Sequence, residues 1–303
     1  MNTTHTEDNT AELLPVQYTL QRIAEALERL SPPPLTLNSI AHALTSADTL
    51  IWHPSQQRLE PVPYIAHISI DLLCGITHQQ HMLLDNTRHF ARGLPANNAM
   101  LWGARGMGKS SLIKAVHAHV NKKERERDPE YSSVILIEIQ RDGLSTLPNL
   151  LALLRTYPRR FILFCDDLSF EKDDYDYKAL KSVLDGGITG RPDNVIVYAT
   201  SNRRHLMPRE IIENEQATAI TPSEATEEKV SLSDRFGLWL GFYPCEYEVF
   251  LQIVQNYARD RNLPISDSDL ITRAHEWAVR RGSRSGRVAF QFIEDLQAQL
   301  TKA

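Results

Sequence analysis

One run of eight residues limits this chain more than any other: Gly103-Ala104-Arg105-Gly106-Met107-Gly108-Lys109-Ser110. It fits G-x-x-x-x-G-K-[ST] at every fixed position. The apolar segment before it, NAMLWG (98–103), reads as a buried strand, and SLIKAVHAHVNKK (111–123) reads as a helix. Glycines let backbone N–H groups turn inward around phosphate oxygens. The helix that follows presents its positive end to the same anion. Lys109 is placed to reach the β- and γ-phosphates of a nucleotide, and the Ser110 hydroxyl to ligate Mg²⁺. The nucleotide-binding set is therefore Gly103 to Ser110 with the adjoining Ser111. A glycine turn with a surface lysine is the plain alternative, and the flanking strand and helix weigh against it.

From about residue 71 strands and helices alternate. VILIEI (134–139), RFILFC (160–165), NVIVYAT (194–200) and LWLGFY (238–243) are apolar runs of strand length. LSTLPNLLALLRTY (144–157) has helical spacing, and YKALKSVLDGG (177–187) is a helix with a glycine stop. This order predicts an α/β fold, a doubly wound parallel sheet with its site at the C-terminal ends of the strands. Residues 205–231 are acidic and loop-rich and read as a solvated connection. Residues 246–303 are helical in pattern, and Ser266 three residues before Asp269 marks a helix start. Ahead of the core, Leu20, Ile23, Ala24, Leu27 and Leu30 set a helix over 13–30 that Pro32, Pro33 and Pro34 end. A second short helix is read over 37–50, and a linker or short strands over 51–70. The expected domains are a helical N-terminal extension (1–70), a nucleotide-binding domain (71–244) and a C-terminal α-domain (245–303).

The second constellation is FILFCDD, 161–167. A buried strand ending in paired acids is costly unless a cation or water waits there. Asp166 would hold the Mg²⁺ hydration shell, and Asp167 would orient or deprotonate an attacking water. A strand-end turn with helix-capping acids is the alternative for the motif taken alone.

Composition closes off other classes. Lys+Arg is 33 against 38 Asp+Glu, a net charge of -5, so no global positive field holds the protein on nucleic acid. No stretch reaches the ~18 apolar residues of a membrane span. Cys74, Cys165 and Cys245 lack zinc spacing and read as reduced thiols. Glu7, Asp8, Glu12, Glu25 and Glu28 leave no apolar signal core in the first thirty residues, so the expected location is the cytoplasm. The eleven histidines show no HExxH. No NKxD guanine signature and no LSGGQ-like signature follow the loop, which favours adenine.

GLPANNAMLWGARGMGKSSLIKA, FILFCDDLSF, YKALKSVLDGG, YATSNRRHL, SLSDRFGLWLGF and SGR, spread over about 75–290, together resemble the AAA+ P-loop ATPases and closely the DUF815-type family. The resemblance implies a P-loop NTPase sheet with residues 245–303 as an α-helical lid. It implies that Asn202 is the sensor-1 residue that positions water, with Thr200 and Ser201 as rival positions. Arg235 matches the arginine finger given to a neighbouring subunit's nucleotide. Arg287 matches the sensor-2 position, with Arg284 as its rival. Lys109, Asp167, Asn202 and Arg235 would then be the catalytic set, and Ser110 and Asp166 the Mg²⁺ set. Asp167 stands where most AAA+ members have Glu, one methylene longer, so slow turnover is expected. Gly75-Ile76 resembles the stretch that contacts adenine. The implied activity is Mg²⁺-dependent ATP hydrolysis by a homo-oligomer acting on a protein or nucleic-acid client, with no membrane involved. A slow nucleotide-switched binding module, such as a nucleic-acid-associated loader, is the second reading.

Overall fold

The computed structural model describes residues 43–65, 67–169, 175–185, 191–204 and 234–301, together with Thr19, Arg22 and Ile23. Most of the helix expected over 13–30, the glycine stop at 186–187 and the acidic run 205–231 lie outside the described residues. Among the described residues seven strands form one sheet: β1 Thr49–His53, β2 Arg58–Pro61, β3 Ala99–Gly103, β4 Ile135–Ile139, β5 Phe161–Cys165, β6 Val195–Ser201 and β7 Leu238–Phe242. Their spatial order is β2-β1-β4-β5-β6-β3-β7. Every pair is parallel except β1 with β2. The helices are α1 Thr77–Ala91, α2 Lys109–Arg127, α3 Leu147–Leu154, α4 Tyr175–Asp185, α5 Tyr247–Asp260, α6 Asp267–Arg281 and α7 Gly286–Thr301. None of the described helices is long and apolar enough to cross a membrane. The doubly wound, mainly parallel α/β sheet expected from the sequence is the fold observed.

The continuous apolar runs are strands buried on both faces, as parallel sheets require. In β5, Phe161, Leu163 and Cys165 join one core with Leu150 and Leu154 of α3 and Leu180 of α4. Ile162 and Phe164 join the other with Leu83 of α1 and Leu112 and Val116 of α2. The side-chain period of two thus divides a single strand between two helical layers. Burying a side chain of this size contributes about 1.5–3 kcal/mol, and all five β5 side chains are buried, so the strand holds both layers.

The segment 43–61 meets its expectation only in part. Residues 43–46 are helical and Thr49–His53 is strand, while 37–42 lie outside the described residues. Leu50 and Trp52 are buried in the same core as Leu163, and β1 pairs with β4. Over 51–70 the expectation was a linker or short strands, and short strands are what the structure holds there. The structure places Pro54 in the turn between the strands and Pro61 in β2, the edge strand, where a missing N–H costs least. Residues counted with the extension therefore complete the sheet.

α2 is anchored through polar groups on its buried face. Asn121 donates from Nδ2 to the Val134 carbonyl at 2.9 Å and accepts the Val134 N–H at 3.0 Å. A ring nitrogen of His117 lies 2.8 Å from the same carbonyl, and burial pushes the His117 pKa below its ordinary value. Glu124, 2 % exposed, takes Arg92 and Arg127 at 2.8 Å each. The helix that begins at Lys109 is thereby fixed to the start of β4. α5, α6 and α7 form a third core that includes Phe250, Ala274 and Phe292 and reaches Met107 of the glycine-rich loop. Ser266 caps α6 as expected, its Oγ accepting the Asp269 N–H at 3.2 Å.

Candidate functional site

β3 enters the loop at a residue with no room for a side chain. A Cβ on Gly103, whose φ is +125°, would lie 1.9 Å from the Phe242 carbonyl oxygen of β7. That oxygen accepts the Ala104 N–H at 2.9 Å. Gly106 is fixed from the other side: with φ at +74°, a Cβ there would meet Ser285 Oγ at 2.9 Å. Its carbonyl accepts the Arg287 N–H at 3.2 Å, which fastens the start of α7 to the loop.

Lys109 opens α2 and is buried. Its Nζ donates to the Gly103 and Ala104 carbonyls at 2.8 Å each and to Asn202 Oδ1 at 3.1 Å. All three ammonium donors are thus engaged. Burial pushes its pKa down, Asp167 and Asp166 push it up, and Arg105 and Arg287 push it down again.

The two acids follow β5 and are held from β6. Asp166 Oδ1 accepts from Ser110 Oγ at 2.6 Å and from Thr200 Oγ1 at 2.5 Å. The Asp167 N–H donates to Thr200 Oγ1 at 2.8 Å, and the Leu168 N–H to the Thr200 carbonyl at 2.7 Å. Asp167 has φ of +51°, a left-handed conformation costing about 1–3 kcal/mol in a non-glycine residue. Its Oδ1 accepts from Asn202 Nδ2, so Asn202 bridges Lys109 and Asp167.

These groups form the polar end of a cleft of about 590 Å³. Arg105, Lys109 and Arg287 there face Asp166 and Asp167, which suits a polyanion bound with a small cation. Much of the remaining lining is apolar, with Ile68, Leu72, Ile76, Ile253, Tyr257 and Phe290, and suits a flat heterocycle. The hydroxyl of Ser110 and the carboxylate of Asp166 are hard oxygen donors of the kind Mg²⁺ takes. Among the described residues no group of three or more His, Cys, Asp or Glu could hold a metal ion. A cation at Ser110 and Asp166 would draw its other ligands from water and phosphate, the usual mode for Mg²⁺.

The structure brings most of the expected residues together. Arg105, Gly106, Met107, Gly108, Lys109, Ser110 and Ser111 line the cleft, as do Asp166, Asp167, Asn202 and Arg287. Gly103 and Ala104 lie behind them and offer carbonyls to Lys109. Of the sensor-1 rivals, Thr200 faces the acids, and Ser201 donates to the Leu168 carbonyl at 2.7 Å. Arg284 is directed elsewhere, its guanidinium 5.8 Å from the Tyr247 ring centroid. Arg235 does not line the cleft: its Nε pairs with Asp185 at the end of α4. Ile76 lines the cleft. Sequence reasoning missed the grip of Thr200 on both acids and the apolar wall beyond Ile76. Leu72 follows a proline-marked stretch, and Ile253, Tyr257 and Phe290 sit at core spacing on their helices.

Residues 45–300 match the profile of a family described as protein of unknown function, DUF815. No curated protein matches the chain. The ORC1 protein of Aeropyrum pernix, in complex with DNA, is similar over 75% of this chain and 65% of its own, at 14% identity and a TM-score of 0.51. That likeness shows a shared fold. The RuvB Holliday junction branch migration motor of Thermotoga maritima is similar over 75% of this chain and 71% of its own, at 13% identity and a TM-score of 0.43. A Walker-type ATPase of Pyrococcus abyssi covers 78% of this chain with 75% of its own, at 13% identity and a TM-score of 0.38.

Proposed function

We propose that this chain, which belongs to the DUF815 family, binds Mg-ATP in the cleft and hydrolyses it slowly to change the state of a bound client. One observation carries the reading: a continuous set of hydrogen bonds runs from Ser110 through Asp166, Thr200, Asp167 and Asn202 to Lys109. The groups proposed to hold phosphate, hold the metal and activate water are thus linked in one hydrogen-bonded chain. Lys109 would exchange the Gly103 and Ala104 carbonyls for β- and γ-phosphate oxygens. Ser110 and Asp166 would hold Mg²⁺, which would supply positive charge against those oxygens. Asp167 would take the proton of the attacking water, and Asn202 would orient that water. The adenine ring would lie on the Ile76, Ile253 and Tyr257 wall. The enzyme would work in the cytoplasm as a homo-oligomer, with residues 245–303 as a lid.

The bond between Arg287 N–H and the Gly106 carbonyl favours a second reading. It ties the C-terminal helices to the phosphate loop, so nucleotide state could reset them whatever the turnover rate. A nucleotide-switched module or loader, acting on protein or nucleic acid, would use the same site.

Asp167→Asn separates binding from chemistry. The amide keeps the shape and removes the base, while Asp166 keeps the metal. Mg-ATP should bind as in wild type, and phosphate release should fall by about 10²–10⁴-fold. Release at the wild-type rate would return Asp167 to a strand-end capping role. Arg287→Ala should weaken ATP more than ADP, because the γ-phosphate is the extra partner. A lost charge-assisted bond of ~1.5–3 kcal/mol corresponds to about 10- to 100-fold in ATP affinity. Equal losses for the two nucleotides, or a larger loss from Arg284→Ala, would move that role away from Arg287.

A further inference from the structure

We infer that Thr200 is the positioning residue that sets the metal-binding acid and the water-activating acid together, an inference that rests on the Mg-ATP reading of the cleft. Thr200 lies in β6, which sits between β5 and β3, and it is 1 % exposed. It lines the cleft, but both described bonds of its hydroxyl go to the two acids. Its hydroxyl has one proton, and the surroundings fix where that proton goes. The Asp167 N–H can only donate, so Thr200 Oγ1 accepts there, at 2.8 Å. The hydroxyl proton is then left for Asp166 Oδ1, at 2.5 Å. One side chain therefore orients the carboxylate of Asp166 and the backbone of Asp167.

The same residue also holds the turn through its main chain. The Thr200 carbonyl accepts the Leu168 N–H at 2.7 Å, and the neighbouring Ser201 Oγ donates to the Leu168 carbonyl at 2.7 Å. These bonds maintain Asp167 at φ of +51°, from which its carboxylate reaches Asn202. Removing the Thr200 hydroxyl leaves the main-chain bond in place. It frees Asp166 on one side and strips the Asp167 N–H of its acceptor on the other. Ser110 would then be the remaining described hydrogen-bond partner of Asp166 Oδ1. Groups that orient metal ligands in this way typically govern metal affinity by about 10- to 100-fold.

The test compares Thr200→Val, which keeps the shape and loses the hydroxyl, with Thr200→Ser, which keeps the hydroxyl. Mn²⁺ binding is read by electron paramagnetic resonance in the presence of a non-hydrolysable ATP analogue. Affinity for the analogue in EDTA is measured in parallel. Thr200→Val should need about 10- to 100-fold more Mn²⁺, with its affinity in EDTA unchanged, and Thr200→Ser should behave as wild type. Thr200→Ala is carried alongside, so that a packing fault from the valine methyl does not decide the result. Wild-type Mn²⁺ affinity in either folded hydroxyl-free variant overturns the inference. A loss of analogue binding in EDTA equal to the loss with Mn²⁺ also overturns it, since that would be a general collapse of the site. Wild-type protein that binds the analogue neither with Mn²⁺ nor in EDTA would instead refute the Mg-ATP reading, and the inference with it.

Discussion

Lys109→Ala is expected to cost Mg-ATP at least about 30-fold in affinity, and up to several thousandfold. Truncating one partner of a buried, hydrogen-bonded charge pair costs ~2–5 kcal/mol, which converts to that range. Lys109 is 7 % exposed and its three donors are all engaged by nearby oxygens. No large rearrangement is needed to pass them to phosphate, because the ammonium already lies among the loop carbonyls. Alanine removes the charge and leaves the Gly103 and Ala104 carbonyls without this donor, which costs some stability as well. Folding is therefore checked by circular dichroism before binding is compared. Undiminished affinity in a folded Lys109→Ala variant would mean that the loop does not hold phosphate.

Arg235→Ala is expected to lower ATP hydrolysis by about 10³–10⁵-fold, the range for arginine fingers in other nucleotide hydrolases, with ATP binding retained. Arg235 precedes β7, the edge strand beyond β3, and lies outside its own chain's cleft. Within the chain it pairs with Asp185, its side chain 23 % exposed. That partly exposed pair contributes only about 0–1 kcal/mol, so it can be exchanged for a neighbour's γ-phosphate. The guanidinium suits that task because it is planar, always charged and can bind two oxygens at once. Arg235→Ala and Lys109→Ala proteins should each be nearly inactive alone. Mixed, they should regain activity, because an Arg235→Ala subunit keeps an intact loop and receives the arginine of a Lys109→Ala neighbour. Absence of recovery in mixtures shown to co-assemble would confine Arg235 to its pair with Asp185.

The glycine-rich loop and the paired acids were legible because the chemistry proposed for them demands particular residues at fixed spacing. Gly103 to Ser110 is contiguous, and Asp166-Asp167 ends an apolar run, where two adjacent charges are costly to bury. The strands β4 to β6 were legible for a related reason, since burial on both faces makes each a short apolar block, and β3 and β7 are apolar runs of similar length. β1 was legible only in part, because the helix read over 37–50 covers its start and Pro54 follows its end, although short strands were one reading of 51–70. Its identity as a strand depends on β4, more than eighty residues away in sequence, which supplies the pairing partner. Thr200 was visible only as a rival for the role of Asn202. Both are polar residues at the end of one strand, and side-chain alternation alone does not say which faces the acids and which faces Lys109. Arg284 and Arg287 posed the same problem at the start of α7. They were separated by the Tyr247 ring, which takes Arg284, and by the Gly106 carbonyl, which draws the backbone of Arg287 to the loop. The apolar wall was hidden because cleft residues such as Ile253 and Tyr257 repeat at the spacing of the helix core to which they also belong.

A calorimetric titration of the wild-type chain with Mg-ATP decides whether the cleft is a nucleotide site. Saturable binding at one site per chain is expected, weakened when Mg²⁺ is chelated, displaced by ADP and largely lost in Lys109→Ala. A folded wild-type protein that takes up no Mg-ATP, or binds it as tightly after Lys109→Ala, would contradict a nucleotide role for the loop at 103–110.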